Sequence, residues 1–141
     1  MNDIIYPRSP RETMVGWIYL PRYIDKIRLH LAGKLHPDYQ PNFGQGFDGL
    51  WLNAADVTHE QMIGVVQNSI TDGEVCDWVR QNVEASPAAK AAHREAMLNR
   101  PAPDDTAGQE RVRQRKAESG LARRDDVTTF VDLIDADEKR T

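Results

Sequence analysis

The chain reads as an all-α protein, a compact bundle of about five to six helices led by a long N-terminal helix kinked near Pro21. Three observations predict this. Helix-start signals recur along the chain. Apolar residues return at three- and four-residue spacing. No segment sustains apolar–polar alternation, and neither Asp48-Gly49 nor Asp72-Gly73 joins two such segments.

Taken in order, Ser9-Pro10-Arg11-Glu12 reads as an N-cap serine, a proline at the first helical position and a glutamate closing a capping box. The helix it opens places Met14, Trp17, Leu20, Ile24, Ile27, Leu31 and Leu35 on one broad face. Pro21 removes a backbone donor, so a kink or break is expected near Tyr19–Leu20, with Gly33 ending the second part. Thr58-His59-Glu60-Gln61 and Thr71-Asp72-Gly73-Glu74 are capping boxes ahead of apolar runs. Ser86-Pro87 opens an alanine-rich helix that should end before Pro101, and Thr106 with Gln109 opens another that Gly120 stops. Val127, Phe130, Val131 and Ile134 form the stripe of a last amphipathic helix, with Asp125 and Asp126 as its caps.

The 141 residues fit one domain. Nine of the ten aromatic residues lie at or before Trp78, and only Phe130 comes later. Aromatic side chains dominate core burial, so the core is expected within residues 1–85. A polar helical arm over 86–126 and a C-terminal docking helix over 127–137 follow. The arm has too few large apolar residues for a core of its own, so it should drape over the first part or stay mobile.

Net charge is −4, which gives no general attraction to nucleic acid. The basic run Arg111, Arg113, Arg115, Lys116, Arg123 and Arg124 has no aromatic interleaved and reads as a solvated helix face. MNDIIYPRSPRE lacks the basic start and apolar run of a signal peptide. The longest apolar stretch falls far short of the ~20 residues a membrane span needs. With a single cysteine, Cys76, the expectation is a soluble cytoplasmic protein with no membrane partner.

Most chemical motifs fail on context. Gly44-Gln45-Gly46-Phe47-Asp48-Gly49 spells G-x-G-x-x-G but follows a turn-rich loop rather than a strand, so no dinucleotide cofactor is expected. His30, His36, His59 and His93 show no ligand spacing, and no metal is expected. Asp132 and Asp135 fall opposite the apolar stripe of the last helix, on its solvent face. Cys76 has no activating base nearby in sequence.

One cluster stands out. Arg28 projects into the apolar face of the first helix with Asp25 one turn earlier, either as a structural ion pair or as part of a polar pocket. Arg8, Arg11, Arg22 and Lys26 add positive charge nearby. Arginine forks suit carboxylate and phosphate, so Arg8, Arg11, Arg22, Asp25, Lys26 and Arg28 are the candidate ligand site.

Pro7-Arg8-Ser9-Pro10-Arg11, Gly16-Trp17, Leu20-Pro21-Arg22, Ile24-Asp25-Lys26, Arg28 and Leu31-Ala32-Gly33-Lys34 resemble the bacterial DUF5069 family, a domain of unknown function. The match covers residues 7–35, with echoes at Thr71-Asp72, Val75 and Trp78-Val79, and again at Asp126–Thr129 with Asp132-Leu133; the loop 36–50 departs most. The resemblance implies a small helical protein and carries over no reaction and no catalytic residue.

Two functions follow as expectations. The first is a non-catalytic interaction or accessory protein that meets a protein partner, or a second copy of itself, through its C-terminal arm and helix. The second is a small-ligand protein or enzyme that holds an anionic phosphate or carboxylate on the arginine cluster.

Overall fold

A computed structural model describes residues 4–140. Among these lie a two-stranded hairpin, β1 (Thr13–Met14) and β2 (Trp17–Ile18), and seven α-helices. The helices are α1 (Leu20–Leu31), α2 (Gly46–Ala55), α3 (His59–Gln67), α4 (Asp72–Asn82), α5 (Pro87–Leu98), α6 (Thr106–Glu118) and α7 (Phe130–Asp137), with a 3₁₀ helix over Pro37–Asn42. The mostly helical fold is as the sequence predicts. The chain divides into two compact units at His93/Arg94.

The long kinked N-terminal helix is corrected. Residues 11–18 turn and pair as the hairpin instead, with Thr13 opposite Ile18 and Met14 opposite Trp17. The turn is made by Val15 (φ 47°) and Gly16 (φ 81°), both left-handed, as a type I′ two-residue hairpin loop requires. Ser9 caps no helix; its carbonyl accepts from Glu12 N at 3.1 Å and its Oγ from Arg11 N at 3.1 Å, closing a turn. Tyr19, itself left-handed at φ 76°, is the true N-cap of α1. Pro21 therefore lies in the first turn, where its missing N–H leaves nothing unpaired and its fixed φ favours the helix. Gly33 (φ 70°) closes the C-terminal end, as predicted, and Lys34 N donates back to Leu29 O at 2.8 Å.

In the first unit α1 is central. Leu20, Tyr23, Ile24 and Ile27 are fully buried, and each such apolar side chain contributes about 1.5–3 kcal/mol. Trp17 and Trp51 meet edge to face at 6.0 Å between ring centroids, with Tyr23 5.9 Å from Trp51. Thr58 and Thr71 form the two predicted capping boxes, with both reciprocal bonds present in each. Ser86 Oγ accepts from Ala89 N at the start of α5.

The second unit has a small core of its own: Val127, Leu133 and Ala136, with Leu121 and Phe130 packed against them. The cap of α6 is Asp105, which accepts from Gly108 N, rather than Thr106. The cap of α7 is Thr129, in a capping box with Asp132, rather than Asp125 or Asp126. Asp135 does not face solvent; it is buried and paired with Arg140 at 3.3 Å. Lys116 Nζ donates to Arg124 O and Val127 O at 2.7 and 3.0 Å, pinning the α6–α7 connection.

Candidate functional site

Helix α1 carries three polar arrangements. The first joins α1 to the N-terminal segment and to the start of α4. Arg8 makes a forked pair with Asp25, Nε to Oδ2 at 2.9 Å and Nη2 to Oδ1 at 3.0 Å, and its backbone N–H donates to the same carboxylate at 2.9 Å. Arg8 also reaches Asp72 at 3.1 Å, and Arg28 binds the other oxygen of Asp72. Asp25 and Arg28 thus take different partners rather than each other. The hydrogen bond to Asp25 raises the Arg8 pKa above its ordinary value. Burial acts to raise the Asp72 pKa, but the bonds from Arg28 and Arg8 outweigh it and leave that pKa below the usual carboxylate value.

Arg22 is 3% exposed and spans back to the N-terminal strand of chain, donating to Arg8 O at 3.1 Å and Pro7 O at 3.5 Å. Its guanidinium lies 5.5 Å from the centre of the Tyr39 ring. Arg11 is exposed and enters the Ser9 turn through its backbone.

The second arrangement is buried. Lys26, 4% exposed, faces the fully buried Asp48 of α2 at 3.0 Å. The Tyr19 hydroxyl donates to Asp48 Oδ1 at 2.6 Å, and Gly44 N donates to Oδ2 at 2.9 Å. One carboxylate therefore receives a lysine, a phenol and a backbone amide. Burial and the Asp48 charge raise the Tyr19 pKa well above its ordinary value, so the phenol stays a donor.

In the third, the Tyr23 hydroxyl lies 2.6 Å from His59 Nδ1, in the first turn of α3. Burial raises the Tyr23 pKa and lowers that of His59, so the bond joins a neutral phenol and a neutral imidazole. Phe43 meets the His59 ring edge-on at 4.5 Å and the His30 ring at 4.7 Å. The backbone at Gly44 passes so close that a Cβ there would sit 2.7 Å from the His59 ring. The glycine of the G-x-G-x-x-G run thus serves close approach to a side chain, and Asp48 within that run anchors the loop.

Of the sequence-predicted residues, the structure brings Arg8, Asp25 and Arg28 into one network, with Arg22 bonded to the Arg8 carbonyl. It sends Lys26 into the core instead. Asp72, Asp48, Tyr19 and His59 complete these arrangements and were missing from the candidate set. Asp72 carried only a helix-start signal, and Asp48 lay in a motif that reads as a loop. Among the described residues no three His, Cys, Asp or Glu converge as a metal-binding group. Cys76 is half-buried, and burial raises its pKa, which keeps it a thiol. Among the same residues no helix is long and apolar enough to cross a membrane.

The family model of DUF5069, a domain of unknown function, matches residues 4–140. The chain belongs to that family. No curated protein matches it.

Proposed function

We propose that this DUF5069 chain is a non-catalytic interaction or accessory protein of the cytoplasm. The observation that supports the reading is the internal neutralisation of its arginine cluster. Arg8 is met by Asp25 and Asp72, Arg28 by Asp72, Lys26 by Asp48, and Arg22 by two backbone carbonyls. An anionic substrate would have to displace carboxylates already held in forked geometry, which makes the cluster a clasp between chain segments. The apolar stripe is turned inward, Val131 of α7 and Val127 just ahead of it being buried, so a partner meeting the C-terminal arm would meet the exposed Arg111, Arg113 and Arg115 of α6. A second offering is Ile70 between α3 and α4, which is 89% exposed.

The alternative, a phosphate-binding protein or enzyme, draws support from Arg28 Nη2, which is buried without a hydrogen-bond acceptor. A thermal-shift series with inorganic phosphate and sugar phosphates separates the two. The interaction reading expects no ligand-dependent rise in Tm and a lower Tm for Arg28→Ala in buffer alone. A rise for the wild type that vanishes in a folded Arg28→Ala variant would transfer the cluster to the ligand reading. Sedimentation of the wild type and Ile70→Asp then asks whether the partner is a second copy of the 16.0 kDa chain.

A further inference from the structure

Away from the α1 network, the first unit has an open cavity of about 370 Å³ beside the hairpin turn, lined by Val15, Trp17, Val79, Arg80, Val83 and Lys90. That is the lower end of the range for small-ligand sites. Its walls combine the half-buried Val15 and Val83, backed by the buried Val79 and Trp17, with two cations. From these we infer that the cavity binds a carboxylate carried on a short apolar body, such as a small branched organic acid or the C-terminus of a peptide. The inference stands independently of the interaction reading.

Three features fix Lys90 against the turn at the cavity's edge. Lys90 Nζ donates to Val15 O at 2.9 Å and lies 5.8 Å from the centre of the Trp17 ring. An ammonium has three donors, so the bond to Val15 leaves it others for an acceptor in the cavity. Next, Gly16 holds the turn where a Cβ would approach Lys90 Cδ to 3.2 Å, so a side chain there would crowd the lysine. Val15, third, is held by the hairpin turn at φ 47°, and its carbonyl is the one that Lys90 bonds.

Arg80 supplies the forked donor. Its partner is Asp77 at 2.9 Å, but both side chains are more than 60% exposed, and such a surface pair holds its arginine weakly. A carboxylate between Arg80 and Lys90 would gain a charge-assisted bond from each, while its apolar body replaces water on the half-buried Val15 and Val83. A phosphate dianion would match the charge but waste the apolar wall. A neutral amide would fill the wall and forfeit both charges.

The test is an amide-resolved NMR titration with 4-methylpentanoate and with an N-acetylated pentapeptide ending in a free leucine carboxylate, each beside its amide. Binding of either acid should move the Val15, Val79 and Val83 amides and the Trp17 indole N–H. Its amide should bind about tenfold more weakly, and Arg80→Gln and Lys90→Gln should each cost the acid about tenfold. Arg80 is exposed on α4, so its variant keeps the fold even if Lys90→Gln loosens the turn. Tighter binding of the pentapeptide names a peptide terminus as the source, and tighter binding of the free acid names a metabolite. The inference is overturned if acid and amide bind alike, if the shifts map elsewhere, if neither acid binds, or if Arg80→Gln leaves the acid's affinity unchanged.

Discussion

Two ionic arrangements hang from the same helix, from adjacent residues Asp25 and Lys26, and they do different work. Lys26–Asp48 is sealed, with neither side chain more than 4% exposed, and the carboxylate also receives Tyr19 and the Gly44 amide. Arg8–Asp25–Asp72–Arg28 is about one-fifth to one-third open to water and joins three parts of the chain: the N-terminal segment, α1 and the start of α4. The sealed pair has no water to fall back on, so removing one member strands the other. The open cluster can rehydrate, so its strength depends on salt and pH. Burial, rather than the number of charges, decides which of the two the fold cannot lose.

The sharpest break of that comparison is Asp48→Ala. It would leave Lys26 buried without its counter-charge and the Tyr19 hydroxyl without its acceptor, costing roughly 3–5 kcal/mol. Urea unfolding measures it, and a loss below about 1 kcal/mol would mean that water reaches the pair. The next effect strikes the loop that closes over the sealed pair. Gly44→Ala would force a side chain at φ 77° into the His59 ring, for a loss of about 2 kcal/mol. A normal Tm for that variant would show that the loop and His59 move apart readily.

On the open side, Asp72→Ala frees Arg8 and Arg28 together. Because all three groups are about one-third exposed, the expected loss is about 1 kcal/mol, shrinking further in high salt. The folded-state pKa of Asp72 is lowered, so its contribution is complete above the ordinary aspartate value and is lost as pH falls through the folded value. The difference in stability between wild type and Asp72→Ala should therefore narrow in acid. A difference that persists at both high salt and low pH would make the cluster as essential as the sealed pair.

The sequence made the local half of this legible. Thr58 and Thr71 cap helices because the hydroxyl and the glutamine or glutamate three residues on satisfy each other's backbone donors, a signal contained in four residues. The hairpin was hidden because two-residue strands cannot show alternation, and because valine at the first turn position replaces the usual asparagine or aspartate. A helical wheel placed Arg28 near the core, yet the deeply buried cations are Lys26 and Arg22. Their partners, Asp48 and the carbonyls of Pro7 and Arg8, lie more than a dozen residues away, where no periodicity reports them. Asp72 illustrates the same limit: its place at the start of α4 was visible, and its two arginines were not.

The smallest effect concerns His93, a buried residue with no charged partner. Its ring meets Trp17 edge to face at 5.4 Å, and neither ring nitrogen has a hydrogen-bond partner. Burial lowers its pKa, so the folded chain holds the imidazole neutral while the unfolded chain takes up a proton below about pH 6.5. Protons thus favour the unfolded state, and this residue makes stability fall as pH drops below that value. His59 acts in the same direction, because its folded pKa is also lowered. His93→Phe keeps an aromatic ring against Trp17 and removes two unsatisfied nitrogens, so at pH 7.5 it should lie within about 1 kcal/mol of wild type. Between pH 7.5 and 5.5 its Tm should fall less than that of the wild type, leaving the His59 share of the decline. A variant that loses more than about 2 kcal/mol at pH 7.5 would mean that the ring nitrogens carry hydrogen bonds in solution, and His93 would then join the sealed pair among the polar groups the fold depends on.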